Sequence, residues 1–322
     1  MSGLPSLEKL RSRAANPAYQ TQRIEIDQID FSKPFIPEYY TQLYYTPVYR
    51  LLTHNQKLRY NQLFGVRTNE YTMMLERDLV EWILVPLSRH SAIKNQKGLA
   101  DCFDQMIDEE RRHYYFFLEL NQHCLPDIFT GSRERYFSEL PLVFRFLLVA
   151  LKHSVRFFPF PLWYLLALEE SSMALSKAMV KNPATESLGD IEPNFLAVHR
   201  EHLKDEARHV QIDRHLVDTC LTDKTGLHRK INARFVKWMF RMITYVGRSG
   251  PGVKVIKHLV SEMPELASLE EEMIRSVLLL NNDPGYQKSL FNRAAMPFSF
   301  SIFDSMSEFE DLQKHLVGYE RP

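Results

Sequence analysis

The stretch His202-Leu203-Lys204-Asp205-Glu206-Ala207-Arg208-His209 constrains this chain more than any other. On a helix, residues at i, i+4 and i+7 project from one stripe, so His202, Glu206 and His209 point the same way. Two imidazoles and a carboxylate converging from one helix form a metal-ligand pattern. A shorter copy lies upstream as Glu109-Glu110-Arg111-Arg112-His113, in which Glu110 and His113 repeat the Glu-x-x-His spacing. The two copies share a wider pattern, acidic-Glu-x-Arg-His, and no other Glu-x-x-His occurs in the sequence.

The rest of the chain supplies helices to surround these two. Residues 1 to about 50 mix charges, prolines and aromatics without sustained period and read as an arm that wraps the domain. Helical patterning starts at Thr53. After Gly65 a long segment is expected from Thr68, as N-cap, to Pro86, with Met73, Glu76, Val80, Ile83 and Leu87 on one face. A carboxylate inside that apolar stripe needs a partner, because burying an unpaired charge is costly. Residues 97 to 123 carry Phe103, Met106, Glu110, His113, Tyr114 and Phe117 on one stripe, and a further amphipathic helix is expected over about 141 to 157.

In the helix from Leu162 to Val180, Glu169 and Glu170 are adjacent. The face through Glu169 holds Leu162, Leu165, Leu166, Met173 and Val180, whereas the face through Glu170 ends in Lys177 and Lys181. Glu169 is therefore the better inward candidate, with Glu170 as the alternative. The helix carrying His202 spans about 194 to 219, and helices follow over about 228 to 247, 252 to 262 and 265 to 281. Residues 283 to 303 are rich in Pro and Phe and show no period. Alternating strand patterns are almost lacking, so the fold class is all-α. The expected organisation is an arm (1–50), a helical bundle (51–303) and a tail (304–322).

Four helices then each offer an inward carboxylate, Glu76, Glu110, Glu169 and Glu206, and two of them add a histidine three residues on. That is the way ferritin-like bundles hold a pair of iron or manganese ions, so a ferritin-like, ribonucleotide-reductase-like helical bundle with extra helices is expected. Four buried carboxylates would repel one another without cations. Glu109 and Asp205, just before the two motifs, could accept the free ring N–H of a ligand histidine on the partner helix; exposed helix surface is the alternative.

Other functions are disfavoured by composition. Forty basic residues balance forty acidic ones, with no long single-sign run, which argues against nucleic acid as a partner. Three dispersed cysteines, Cys102, Cys124 and Cys220, form neither a disulfide framework nor a Cys-rich metal site, and the N-terminal residues hold no signal-like apolar core. The longest uncharged apolar run, Phe157 to Leu168, has 12 residues and two prolines, short of the roughly 20 that span a bilayer. A cytoplasmic protein without a membrane partner is expected.

With His202 added to the four carboxylates and two motif histidines, the candidate set has seven members. Ribonucleotide reductase small subunits and acyl-carrier-protein desaturases resemble the Glu, Glu-x-x-His, Glu, Glu-x-x-His order but lack the third histidine. The seven-residue set, and specifically His-x-x-x-Glu-x-x-His at His202, Glu206 and His209, resembles the p-aminobenzoate N-oxygenase family of non-haem di-iron enzymes. The Asp-Glu-Ala-Arg-His text at 205 to 209 is similar to that family's, and the resemblance covers roughly residues 50 to 300. It implies two Fe ions, O2 as co-substrate and oxidation of an amine nitrogen of a small substrate, aryl amines included, to hydroxylamine, nitroso or nitro in secondary metabolism. Electrons would come from an external reductase or ferredoxin, since no Gly-rich flavin or nicotinamide fingerprint is present. A homodimer is compatible with this reading. The alternatives are a di-iron hydroxylase or desaturase acting on a carrier-bound or fatty substrate, and a ferritin-like iron- or O2-handling protein.

Overall fold

The computed structural model describes residues 4–139, 142–221 and 226–321. Helices α1 (Leu7–Ala14), α2 (His54–Met73), α3 (Val85–Leu87), α4 (Ser91–Lys94) and α5 (Lys97–Cys124) are followed by α6 (Leu142–Ser154), α7 (Pro161–Lys181) and α8 (Pro193–Leu221). Then come α9 (Gly226–Thr244), α10 (Pro251–Glu262), α11 (Glu270–Leu279), α12 (Pro284–Leu290) and α13 (Pro297–Asp304). Among the described residues the only β pairing is an isolated bridge between Ala184 and Asp190 in the α7–α8 loop. The protein is an all-α, ferritin-like bundle.

The helical patterning that starts at Thr53 and the segment expected from Thr68 belong to one unbroken helix. Thr53 caps it reciprocally with Gln56: the Gln56 N–H donates to Thr53 Oγ1 at 3.4 Å and the Thr53 N–H donates to Gln56 Oε1 at 3.0 Å. Thr68 is not a cap but a mid-helix residue whose hydroxyl donates to the Phe64 carbonyl at 2.9 Å. Gly65 does not break the helix. It is there because a Cβ at this position would lie 2.7 Å from Phe35 Cβ and 3.4 Å from the Phe195 ring. From Met74 to Leu84 the same rod continues as a π-helix, whose last turn is closed by the Val85 N–H donating to the Val80 carbonyl five residues back. Its wider turn carries Glu76, in keeping with the frequent occurrence of π turns at functional positions.

Helices α2, α5, α7 and α8 form the bundle. Gly65 abuts Phe195, and one stretch further along both helices Glu76 meets His202, so α2 and α8 run parallel. Pairing of Glu109 with His209 and of His113 with Asp205 makes α5 and α8 antiparallel. The core divides into two apolar halves. One, around Phe103, Leu166, Leu216 and Phe240, is extended by α13 and by Leu312, Leu316 and Tyr319. The other, around Phe64, Phe117, Phe195 and Ile256, takes in Phe35, Ile36, Leu43 and Val48 from the N-terminal arm. Neither half contains the buried ionisable residues between them.

Residues 283 to 303, which lack a readable period, contain two short helices. Asp283 caps α12 by accepting from the Tyr286 N–H at 2.7 Å, and α13 packs on α7. Too short for a 3.6-residue repeat to show, they are specified by their caps and prolines instead.

The Gly65 contact yields a stability prediction. Gly65→Ala should gain about 1 kcal/mol of helix propensity but lose about 1–3 kcal/mol to overpacking against Phe35. Urea unfolding should therefore show a net loss for Gly65→Ala and a larger one for Gly65→Val. A midpoint at or above wild type for the valine variant would contradict the contact.

Candidate metal centre

The two motif helices meet through a local two-fold logic. In each motif the leading acid precedes the histidine by four residues, so both lie on one face of their helix. Antiparallel packing of α5 against α8 then sets each acid opposite the other helix's histidine. Thus His113 Nε2 is 3.2 Å from Asp205 Oδ2, and His209 Nε2 is 2.9 Å from Glu109 Oε2. Arg208 ties the two acids together, donating from Nη2 to Glu109 Oε2 at 2.5 Å and to Asp205 Oδ1 at 2.9 Å. Glu109, Asp205 and Arg208 are all buried rather than on an exposed helix face.

With Nε2 engaged outward, the Nδ1 atoms of His113 and His209 turn inward. His209 Nδ1 lies 3.0 Å from Glu110 Oε1 and 3.3 Å from Glu206 Oε1. His113 Nδ1 lies 3.4 Å from Glu206 Oε1 and 3.6 Å from both Glu76 Oε2 and Glu110 Oε2. His202 approaches with the opposite nitrogen, Nε2, at 3.0 Å from Glu76 Oε1 and 3.2 Å from Glu206 Oε1. Glu206 Oε1 is thus the shared vertex of three imidazoles. Two four-residue groups result, Glu76, His113, His202 and Glu206, and Glu110, His113, Glu206 and His209, each with its ligand atoms within 4.8 Å of one another.

Glu169 stands outside both groups but faces them. Burial first, then the charges of Glu206 and Glu110, raise its carboxyl well above the usual range, so it keeps its proton beside these carboxylates. Glu170, the alternative, is equally buried but is used elsewhere: its two oxygens accept the Phe298 and Ser299 N–H groups at 2.8 and 2.7 Å, capping α13. The acids flanking Glu76 have other partners too. Glu70 accepts the Tyr136 and Ser138 N–H groups, both at 2.6 Å, and Glu81 pairs with Arg111 at 2.8 Å.

The electrostatics are those of acids crowded in a dry space. Burial and the neighbouring Glu110 carboxylate push Glu76 up to about 7. Burial disfavours a charged His202, yet Glu206 and Glu76 outweigh it and raise that imidazole to about 9. His113 and His209 are likewise raised, against burial, by the carboxylates around them. Many of the inner atoms nevertheless lack a hydrogen bond. Glu76 Oε2, both oxygens of Glu110 and of Glu206, His113 Nδ1 and His209 Nδ1 are fully buried without one. Orphaned donor atoms that converge from several helices, while the outward atoms of the same side chains are satisfied, fit a cation pair.

A family model described as p-aminobenzoate N-oxygenase AurF matches residues 7–252. The chain belongs to the p-aminobenzoate N-oxygenase family. No curated protein matches it. Membership makes the chain an oxidoreductase of an oxygenase family that depends on two irons, and the buried carboxylate–histidine cluster is compatible with such a centre. Among the described residues no helix is long and apolar enough to cross a membrane.

Two further buried groups flank the cluster in this N-oxygenase-family chain, of which Asp213 lies outside the sequence expectation. Asp213, one turn beyond His209 on the same stripe, has both carboxyl oxygens without a partner, and burial raises its carboxyl well above the usual range. The continuation of the 202, 206, 209 stripe was the signal for it. His199, one turn before His202, has Nδ1 3.1 Å from Ser176 Oγ, and burial with the adjacent His202 lowers it to about 3, so it is neutral. Thr21, from the arm, also reaches the cluster, and nothing in its local sequence marks it.

Two predictions follow from these positions. Glu169→Ala should lower the iron retained per chain, whereas Glu170→Ala should leave metal content intact and cost about 1–3 kcal/mol of stability, because the N–H groups of Phe298 and Ser299 lose their acceptor. Elemental analysis with thermal melts separates the two; equal metal loss in both would contradict the assignment. Second, a ligand must shed its proton to bind metal. Below about 7 both Glu76 and His202 must do so, and between about 7 and about 9 His202 alone of this pair. Anaerobic Fe(II) titrations should therefore show affinity rising with pH, with a slope that falls by about one proton on passing about pH 7. A pH-independent affinity would contradict it.

Proposed function

We propose that the protein is a non-haem di-iron N-oxygenase that uses O2 to oxidise the amine of a small, aryl-type substrate. The observation that carries the reading is the third histidine: His202 joins Glu76 and Glu206 at 3.0 and 3.2 Å, adding a neutral donor to the Glu and Glu-x-x-His set. Membership of the p-aminobenzoate N-oxygenase family supports the same chemistry.

In this reading Glu76, Glu110, His113, Glu169, His202, Glu206 and His209 would hold the iron pair, the carboxylates offsetting its charge and the imidazoles completing the donor set. When bound, the iron pair supplies the electrons and the open positions at which O2 is activated. Each cycle takes an amine, O2, two electrons and two protons to a hydroxylamine and water; further cycles lead to nitroso and nitro. The electrons come from an external reductase or ferredoxin. The protein's share is positional. Asp205 and Glu109 fix the two motif imidazoles by accepting their Nε2 protons. Phe117, whose ring centroid is 5.1 Å from that of His202, and the two apolar half-cores keep water from the centre. Glu169 gives up its proton when the metal binds. The protein works in the cytoplasm, as a monomer or homodimer.

The test is an amine panel that includes p-aminobenzoate, supplied with O2 and a reductant, with mass-spectrometric detection of added oxygen. Wild type should carry about two irons per chain and oxygenate nitrogen. His202→Ala should keep its helical circular dichroism and lose or redirect oxygenation. Products oxygenated only at C–H bonds would defeat the nitrogen assignment, and full activity in His202→Ala would remove its basis.

A further inference from the structure

The outer face of the α5–α8 pair is covered by the N-terminal arm, and the arm reaches the metal centre. α1 packs on both helices, the Pro5 carbonyl lies 2.9 Å from His215 Nε2, and the chain then crosses α8 beside the buried acids. There the Tyr19 carbonyl accepts from Arg208 at 3.3 Å, and the Gln22 N–H donates to Glu201 Oε2 at 2.9 Å. Between them, the Thr21 N–H donates to Asp205 Oδ2 at 3.3 Å, and Thr21 Oγ1 sits 3.0 Å from the Glu201 carbonyl and 3.3 Å from His113 Nε2.

The protons at this junction can be assigned by elimination. The Glu201 carbonyl can only accept, so the Thr21 hydroxyl spends its single hydrogen there. Toward His113 the hydroxyl oxygen can then only accept, as the Asp205 carboxylate must. Two acceptors converge on Nε2, at 3.2 and 3.3 Å, so this nitrogen carries a hydrogen and Nδ1 is the atom turned toward the inner carboxylates. Among the described residues, His209 has only Glu109 in the corresponding place.

We propose that Thr21 is a positioning residue of the metal centre: with Asp205 it shares the His113 Nε2 proton, fixing the tautomer and ring plane in which Nδ1 faces the metal. The arm segment Tyr19–Gln22 is in consequence part of the site's outer wall, contributed from some ninety residues before the histidine it orients. The proposal rests on the metal-centre reading above.

The full chain, Thr21→Val and Thr21→Ser are titrated anaerobically with Fe(II), and with Co(II), whose visible absorption reports coordination geometry. Thr21→Val keeps the backbone N–H and side-chain shape but loses the hydroxyl; it should weaken one of two metal equivalents by about 10–100-fold, the usual scale for such a partner, and alter the Co(II) spectrum. Thr21→Ser should restore both. Wild-type affinity and spectrum in Thr21→Val would overturn the proposal, as would equal losses in valine and serine variants, which would assign the effect to arm packing. Metal-free thermal melts, together with Thr21→Ala in the same titration, keep the comparison decisive if the valine variant folds poorly. Failure of wild type to bind either metal would instead remove the metal-centre reading itself.

Discussion

Ionisable side chains packed into a space without water control how this bundle is built. Glu76, Glu110, Glu169, Glu206, His113, His202 and His209 occupy the waist between two apolar half-cores. In such surroundings charge cannot be left unpaired: burial raises the carboxyls of Glu169 and Asp213 well above their usual range, and the surrounding carboxylates raise the three imidazoles. Cations at this waist would offset the inward carboxylate charge. The apolar halves fix the helices, and the waist, destabilising on its own, is left to chemistry.

The duplicated motif gains its meaning from helix direction. Acid and histidine four residues apart share a face on any helix; only antiparallel packing of two such helices puts Asp205 on His113 and Glu109 on His209. Arg208 then offsets the two outer acids, which would otherwise repel across the same gap. One short pattern therefore encodes the inward-facing donor atoms, their orientation and the charge balance behind them. The arm adds Thr21 to only one of the two halves, so the pseudo-symmetry ends at the outer wall.

What could be read from the sequence follows from what is periodic. Glu110, His113, His202, Glu206 and His209 lie at helical spacing within long helices, and their convergence can be argued from residue numbers. Choosing Glu169 over Glu170 was harder, because both are buried; the distinction depends on α13, a short helix with no period of its own, being capped by Glu170. The continuity of α2 through Gly65 and Thr68 is hidden for a related reason. A glycine followed by a threonine three residues on looks like a break and a cap, and only the approach of Phe35, thirty residues away in sequence, explains Gly65. The π-helix around Glu76 has no sequence signature that the 3.6-residue template would register. Contacts of high sequence separation, Thr21 to His113 above all, are set by tertiary packing and leave no local trace.

The three histidines are not equivalent, and the difference bears on which of them defines the chemistry. His113 and His209 present Nδ1 inward and have Nε2 held by a carboxylate from the opposite helix. His202 presents Nε2, and its Nδ1 is buried without a hydrogen-bond partner. Its ring is instead held by packing, edge-on to Phe117 at 5.1 Å and to His113 at 4.8 Å. A carboxylate partner raises the basicity of a ligand imidazole and locks its tautomer; packing does neither. His202 is thus the weaker, more adjustable donor of the three, placed beside Glu76 on the wider turn of the π-helix. The acids of the opposite helix lock the two Glu-x-x-His imidazoles, and His202 is the one that this frame leaves unlocked.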